Sequence, residues 1–307
     1  MKPKRQTIHF DKTLIDKDAQ KVVKTLNKAG HEAYLVGGCI RDLLLGHKPK
    51  DFDIATCATP EQVHQIFKRS RLIGRRFRLV HIMFSSRKYI EVATFRSGKV
   101  KTAGNGVIVR DNLYGTLKED AFRRDFSVNA LYYDIQNSQV IDYVDGLNAL
   151  NNSEIRVIGN PVERFKEDPV RMIRAIRFKV KLGATIDPKI SKSISNQAYL
   201  LANIPAARLY DECIKLFHNE NAYEVFEQLV KCGLLNYLFP QTEETSFISK
   251  TLLNTSKRIK SGKPVTPAFL FAVFLWEAQN KRFNELNKKK KSRIFLFRKN
   301  IFFRDFF

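Results

Sequence analysis

One stretch constrains this chain more than any other: Tyr34-Leu-Val-Gly-Gly-Cys-Ile-Arg-Asp-Leu-Leu-Leu-Gly46, followed by Lys50-Asp-Phe-Asp-Ile-Ala-Thr56. Ala33–Val36 is a short apolar run and reads as a buried strand. Gly37-Gly38 break it, a helix is expected through Cys39–Leu45, and Gly46 stands where a C-cap glycine belongs. A second strand is expected over Asp51–Ala55. Alternation along it would put Asp51 and Asp53 on one face, Phe52 and Ile54 on the other. Two carboxylates side by side repel, and a divalent cation between them relieves the repulsion. The glycine turn opens a helix N-terminus, where free N–H groups and the dipole favour phosphate. A phosphate cradle next to an acidic pair is equipment for nucleotidyl transfer. The G-x-x-x-x-G-K-[ST] pattern is absent, so this is not a P-loop. Gly-Gly and Asp-x-Asp are each weak signals alone, because tight turns and surface acid pairs are common; their short spacing makes them informative.

The rest of the chain supplies a scaffold for such a site. Residues 1–18 are basic and weakly patterned and read as an irregular lead-in, before a helix over Asp18–Ala29 that Gly30 stops. Thr59-Pro60-Glu61-Gln62 is a capping box with proline at the first helical position, opening a helix to about Lys68. Leu72–Phe84 and Tyr89–Phe95, joined by Ser85-Ser86-Arg87, read as a hairpin. The segment 97–107 carries Gly98, Gly104, Asn105 and Gly106 and reads as a flexible loop able to gate a site. Leu117–Leu131 reads as mostly helical, and Val140–Val144 as a last short strand. From Pro161 the texture becomes helical, with helices expected over Pro161–Leu182, Asp187–Ala198, Pro205–His218, Ala222–Lys231 and Pro267–Asn280.

Two further blocks are Arg123-Arg124-Asp125-Phe126-Ser127-Val128-Asn129-Ala130-Leu131 and Glu167-Asp168-Pro169-Val170-Arg171-Met172-Ile173-Arg174-Ala175. Together with Gly37-Gly38-x-x-Arg41-Asp42…Asp51-x-Asp53, and in this order, they resemble the class II tRNA nucleotidyltransferase and bacterial poly(A) polymerase family of the polymerase-β superfamily. The resemblance runs over roughly residues 30–240. It implies an α+β chain: a small mixed-sheet nucleotidyltransferase head with helices on one side, followed by an all-α neck and body. The domain boundaries expected are 1–30 for the lead-in and helix, 31–158 for the head, 159–240 for the neck and 241–287 for the start of the body. Leu72-Ile-Gly-Arg-Arg-Phe-Arg-Leu-Val-His81 resembles the signature that separates the poly(A) polymerase branch from its CCA-adding relatives.

The resemblance also assigns roles. Asp51 and Asp53 are expected to hold Mg²⁺, which prefers hard oxygen donors and takes one or two carboxylates plus substrate phosphates. Asp125 is the preferred third catalytic carboxylate, acting through the metal or the ribose, with Glu91 on the strand Tyr89–Phe95 as the physical competitor. Gly37, Gly38, Arg41, Arg123, Arg124 and Asn129 are expected to bind the nucleotide; Asn129, four residues after Asp125, would share a helix face with it. Glu167 and Arg171 have the spacing of a helical salt bridge. The family pattern instead has Asp168 and Arg171 read the base edge of the incoming nucleotide, since a carboxylate and a guanidinium together offer acceptors and donors. Arg174, and less so Arg177, would add phosphate contacts. Arg75, Arg76 and Arg78 would grip RNA, or form a basic hairpin that binds any phosphate backbone.

The implied activity is template-independent transfer of AMP from ATP to RNA 3′ ends, in mRNA processing and decay, with pyrophosphate released. The open alternatives are a CCA-adding tRNA nucleotidyltransferase and a non-catalytic RNA-binding remnant. Composition agrees with a nucleic-acid partner: 54 basic against 31 acidic residues give a net charge of +23. No run of 18 apolar residues and no signal peptide are seen, so a cytoplasmic monomer without membrane contact is expected. The four cysteines (Cys39, Cys57, Cys213 and Cys232) have no C-x-x-C spacing, which argues against a zinc site or disulfide framework. Lys288–Lys291 are followed by six Phe among the 14 residues Ile294–Phe307. Residues 288–307 are therefore expected to be a non-native tail read out of frame, in place of the basic RNA-binding arm with which such enzymes continue.

Overall fold

The computed structural model describes residues 2–289 apart from 12, 75–77, 87, 99–100, 103–107, 111–113, 241 and 243–245. These residues form two compact units. The first runs from the N-terminal strand to Glu167 and takes in Leu182–Ile190; the second comprises Asp168–Lys181 and the helices from Ser191 onward.

In the first unit, β1 (Lys4–Thr7), α1 (Lys17–Lys28), β2 (Ala33–Val36), α2 (Gly38–Leu44), β3 (Asp53–Thr56) and α3 (Pro60–Ile66) are followed by β4 (Ser70–Ile73), β5 (Leu79–Met83) and β6 (Tyr89–Thr94). A two-stranded ribbon comes next, β7 (Lys101–Thr102) with β8 (Ile108–Arg110). Then come α4 (Leu117–Arg123), a 3₁₀ turn at Ser127–Asn129, β9 (Leu131–Asp134), β10 (Gln139–Asp142), α5 (Gly146–Asn151), β11 (Glu154–Ile155) and α6 (Pro161–Glu167). Among the described residues the main sheet has the order β1-β10-β9-β2-β3-β6-β5-β4. All its neighbours are antiparallel except β3 and β6.

The helices on this sheet form for local reasons. In α1 the N-cap Asp16 accepts from the N–H groups of Asp18 and Ala19, and Ala19, Val22, Val23 and Leu26 recur at helical spacing on the buried side. The capping box expected at Thr59 and Gln62 is formed, and Thr116 with Glu119 makes a second one at the start of α4. Each face of the sheet has its own core. Leu35, Ile54, Val80 and Val92 pack with α1 and Ile40 on one face; Val36, Ala55, Phe95, Tyr132 and Ile141 pack with Leu117 and Ala121 of α4 on the other. Helices therefore cover both faces, not one.

Several expected elements are corrected. The N-terminal lead-in is not irregular throughout: Lys4–Thr7 pair with β10 at the sheet edge. The expected single strand Leu72–Phe84 is two, β4 and β5, separated at Gly74, whose φ of +88° favours glycine. Of the segment read as a gating loop, Lys101–Thr102 belong to the ribbon with β8, and residues 99–100 and 103–107 lie outside the described residues. The helix read over Leu117–Leu131 stops at Arg123, and β9 occupies the end of that range. β9 is buried at every position, so it has no alternation to betray it.

The second unit contains α7 (Val170–Lys181), α9 (Ala206–Phe217), α10 (Ala222–Lys231), α11 (Leu235–Leu238), α12 (Ser246–Lys260) and α13 (Pro267–Lys289). Between α7 and α9 run β12 (Thr185–Ile186), α8 (Pro188–Gln197) and a 3₁₀ stretch, Ala198–Asn203; β12 returns to the first unit and pairs in parallel with β11. A knot of rings, Phe217, Phe239 and Phe274, marks the core, with Phe239 stacked on Phe274 at 4.2 Å between centroids. Asp168-Pro169 divides the expected Pro161–Leu182 helix into α6 and α7. A residue before proline is pushed out of the helical region, and this is the physical reason for the break. The helix expected to end at Asn280 continues to Lys289, and residues 290–307 lie outside the described residues.

Candidate active site

The first and second sequence blocks meet at one end of the main sheet. Strand β2 delivers the chain to Gly37, whose φ of +82° and ψ of −132° belong to glycine's range. Its N–H donates to the Leu131 carbonyl at 3.1 Å, tying the bend to β9. Space alone would admit a methyl group there, since a Cβ would stand 3.5 Å from Arg124 Nη1; the backbone conformation is what excludes it.

Asp53 opens β3 between Val36 of β2 and Glu91 of β6, and His81 of β5 faces Glu91 in turn. His81, Glu91 and Asp53 thus form one cross-strand row, with His81 Nε2 3.3 Å from Glu91 Oε2 and the imidazole stacked 4.1 Å above the Tyr89 ring. Burial, then the charge of Glu91, pushes the Asp53 carboxyl up to about 6; Arg124 opposes this and Asp51 adds to it. Asp53 retains an open side toward solvent although protein surrounds the rest, so water screens part of the penalty. Asp51 does not lie on the strand as expected but two residues before it, and is exposed.

The Arg-Arg-Asp block is organised by a residue the sequence reasoning missed. Asp120, 1% exposed, receives Arg123 Nη2 at 2.8 Å, Arg124 Nη2 at 3.1 Å and the Tyr132 hydroxyl at 2.7 Å. Burial would raise the Asp120 carboxyl, but Arg124 and Arg123 outweigh it and hold it down at about 2. Arg124 also donates Nε to the Tyr132 hydroxyl at 3.0 Å, and its guanidinium stays charged despite burial. The signal was present as the spacing of Asp120 to Arg123 and Arg124, three and four residues on. Arg164, also unforeseen, donates Nη2 to the carbonyls of Arg123 at 2.6 Å and Arg124 at 2.7 Å, a cation closing the C-terminal end of α4. Nothing local in the sequence points across those 41 and 40 residues.

Arg124 has extended backbone (φ −63°, ψ 166°), so Asp125 sits in a loop and shares no helix face with Asn129. Asp125 Oδ1 accepts from the Phe126 N–H at 2.9 Å, and its carbonyl accepts from the Ile158 N–H at 3.0 Å. Asn129, in the 3₁₀ turn, takes Arg41 Nη1 on its side-chain oxygen at 2.5 Å and Arg124 Nη1 on its carbonyl at 3.4 Å. Arg41, 3% exposed, also donates Nη2 to Asp42 at 2.6 Å. It is thus turned inward, joining the first block to the second. Arg78 pairs with Glu61 at 2.7 Å on the surface; Arg75 and Arg76 lie outside the described residues.

In the helical unit, Asp168 precedes α7 and is the cap of its first turn, with Oδ1 accepting from the Val170 N–H at 3.3 Å and its carbonyl from the Arg171 N–H at 3.1 Å. Its other oxygen accepts from Arg208 Nη2 at 2.8 Å, a partner not singled out from the sequence. Glu167, the last residue of α6, accepts from Arg164 Nη1 at 2.7 Å. Arg174 and Arg177 lie over the Phe178 ring at 5.6 and 4.9 Å, and Arg177 Nη1 stands 3.8 Å from Glu212.

Comparison with known proteins bears on these geometries. The family described as "Poly A polymerase head domain" matches residues 33–156, and that described as "Probable RNA and SrmB- binding site of polymerase A" matches residues 183–245. The chain is 48% identical over 281 residues to Poly(A) polymerase I of Salmonella typhimurium, covering 85% of this chain and 60% of that protein. It is 45% identical over 306 residues to Poly(A) polymerase I of Haemophilus influenzae, covering 90% and 68% of the two chains. The chain therefore spans about three fifths of the length of the Salmonella relative. The crystal structure of the Bacillus stearothermophilus CCA-adding enzyme in complex with CTP superposes with a TM-score of 0.64 at 34% identity, covering 79% of this chain and 58% of that one.

Proposed function

The chain belongs to the tRNA nucleotidyltransferase and poly(A) polymerase family, and we propose that it adds AMP from ATP to RNA 3′ ends without a nucleic-acid template, releasing pyrophosphate. The observation that carries this reading is the cross-strand placement of Asp53 against Glu91, close enough in charge to Asp51 and Arg124 for all three to move its proton affinity. Like charges held at that spacing on an open face suit a cation and a polyphosphate.

Asp51 and Asp53 offer hard oxygen donors and would hold magnesium. Among the described residues no group of three or more His, Cys, Asp or Glu side chains is placed to hold a metal ion; magnesium takes one or two carboxylates together with substrate phosphates. When bound, the ion would favour the ionised RNA 3′-hydroxyl and neutralise charge on the departing pyrophosphate. Glu91, by its register, is the better candidate for the third carboxylate; Asp125, fastened through Phe126 and Ile158, is assigned to the ribose and to shaping the loop. Arg123 and Arg124 bind the triphosphate, pre-aimed by Asp120 so that little reorganisation is needed when charge develops. Arg41 orients Asn129. Asp168 and Arg171 read the base, and Arg208 sets the position of the Asp168 carboxylate.

ATP is favoured over a CTP-then-ATP sequence by the 45–48% identity to proteins named Poly(A) polymerase I. The test supplies the purified chain with each nucleoside triphosphate alone and with all four, on unstructured RNA and on tRNA lacking its 3′ end. AMP incorporation on unstructured RNA is expected. CMP incorporation restricted to the tRNA would replace this reading with the CCA-adding one.

A further inference from the structure

Helix α1 lies on the face of the sheet opposite α4, and no role in the reaction has been given to it. Its exposed side carries Lys17, Lys21, Lys24 and Lys28, at steps of four, three and four residues. At 100° per residue these fall within an arc of about 60°, in a row about 16 Å long. None of the four has an acidic partner among the described residues. The two acids at this end of the helix, Asp16 and Asp18, are both taken by Lys88, at 2.8 and 2.6 Å. Gln20 and Thr25 complete an open furrow of about 370 Å³ between the lysines. Like charges three and four apart on a helix repel, and Lys17 at the N-terminal end opposes the dipole. The row therefore costs the helix stability, which points to a use outside it.

We propose that this lysine row is a docking site for the phosphate backbone of single-stranded RNA, engaging the body of the substrate away from its reacting end. The proposal rests on the RNA-extending reading above. Lysine offers a point charge suited to phosphates of any sequence, and polar furrow residues suit a wet, sequence-blind contact. Because Lys88 links α1 to the start of β6, the row begins at the end of the sheet where Glu91 and Asp53 lie and runs away from it. It is on the other face, so RNA reaching it must pass around the sheet from the carboxylates. An anionic membrane is the less fitting partner: Ala19, Val22, Val23 and Leu26 face inward, and α1 exposes no large apolar side chain for insertion.

The test compares the full chain with the variant Lys17→Ala/Lys21→Ala/Lys24→Ala/Lys28→Ala and with a charge-matched control of four exposed lysines outside residues 183–245, Lys250→Ala/Lys257→Ala/Lys260→Ala/Lys263→Ala. Binding of a long unstructured RNA is followed by anisotropy across a salt series, and AMP incorporation is measured on a short and a long primer. Single strands lose about 0.7 in log–log salt slope per phosphate contact, so the α1 variant should lose about 3. Its KM for the long primer should rise while turnover on the short primer is unchanged, and the control should keep the wild-type slope. Equal loss in both variants would reduce the effect to net charge and overturn the proposal. So would an unchanged slope in the α1 variant, or loss of retention on phosphatidylserine vesicles with RNA binding intact. Because binding is read separately, wild-type chain that binds RNA but incorporates nothing would sink the polymerase reading and leave the docking result standing.

Discussion

Asp53 and Asp120 are the same side chain driven in opposite directions by their neighbours. Asp53 is pushed up to about 6 by burial and by Glu91, so its ionised form is a cost to the folded state. That cost is absent below about pH 4, where the group is protonated folded and unfolded, and complete above pH 6. Asp53→Asn in magnesium-free buffer should therefore raise the thermal midpoint at pH 8 and leave it unchanged at pH 4. Added magnesium should raise the wild-type midpoint at pH 8 and have little effect on the variant. Asp120 is held down at about 2 by Arg124 and Arg123, so its contribution of about 2 kcal/mol is present above the ordinary carboxylate range and lost as pH falls through 2. Replacing it leaves two guanidinium groups without their carboxylate: Asp120→Asn should cost about 3 kcal/mol by urea unfolding at pH 7 and weaken ATP binding as well.

At the level of elements, the close meeting of α5 with the 3₁₀ turn depends on Gly146. A Cβ there would stand 2.3 Å from the Ser127 carbonyl oxygen, and the neighbour is backbone. Gly146→Ala should destabilise by about 1–3 kcal/mol, measured by urea unfolding, with the loop holding Asn129 displaced. Local chemistry made much of this architecture legible. Ala33–Val36 is found as the apolar run predicts, α3 starts at its capping box, and α10 spans Ala222–Lys231 as expected. What failed to show was set by distant partners. The end of α4 at Arg123 has no proline or glycine to mark it; the carbonyls there are met by Arg164 from another part of the chain. Asp51-x-Asp53 has the alternation of one strand face, yet the ladder begins only at Asp53, where β6 supplies a partner. Glu91 could be noticed but not placed, because parallel register between β3 and β6 is not written in either strand. The α6–α7 break was available in Asp168-Pro169 and was overridden by the apolar periodicity on either side.

For the whole molecule, a net charge of +23 and a head whose Gly37, Asp53, Glu91 and Arg124 gather at one end of the sheet both support the proposal made above, in which a polyanion is extended at its end by metal-assisted transfer. Within the helical unit, Asp168 is paired with Arg208 at 2.8 Å. No helix among the described residues is long and apolar enough to cross a membrane. The claim most exposed to test is that Asp51 and Asp53 carry the chemistry. Single-turnover extension of an RNA primer with ATP and magnesium, comparing wild type with Asp51→Ala and Asp53→Ala, addresses it directly. Wild type should form extended RNA and pyrophosphate, while each variant should be slowed about a thousandfold or more with RNA still bound, as loss of several kcal/mol of charge stabilisation requires. Extension by either variant at the wild-type rate would contradict the account.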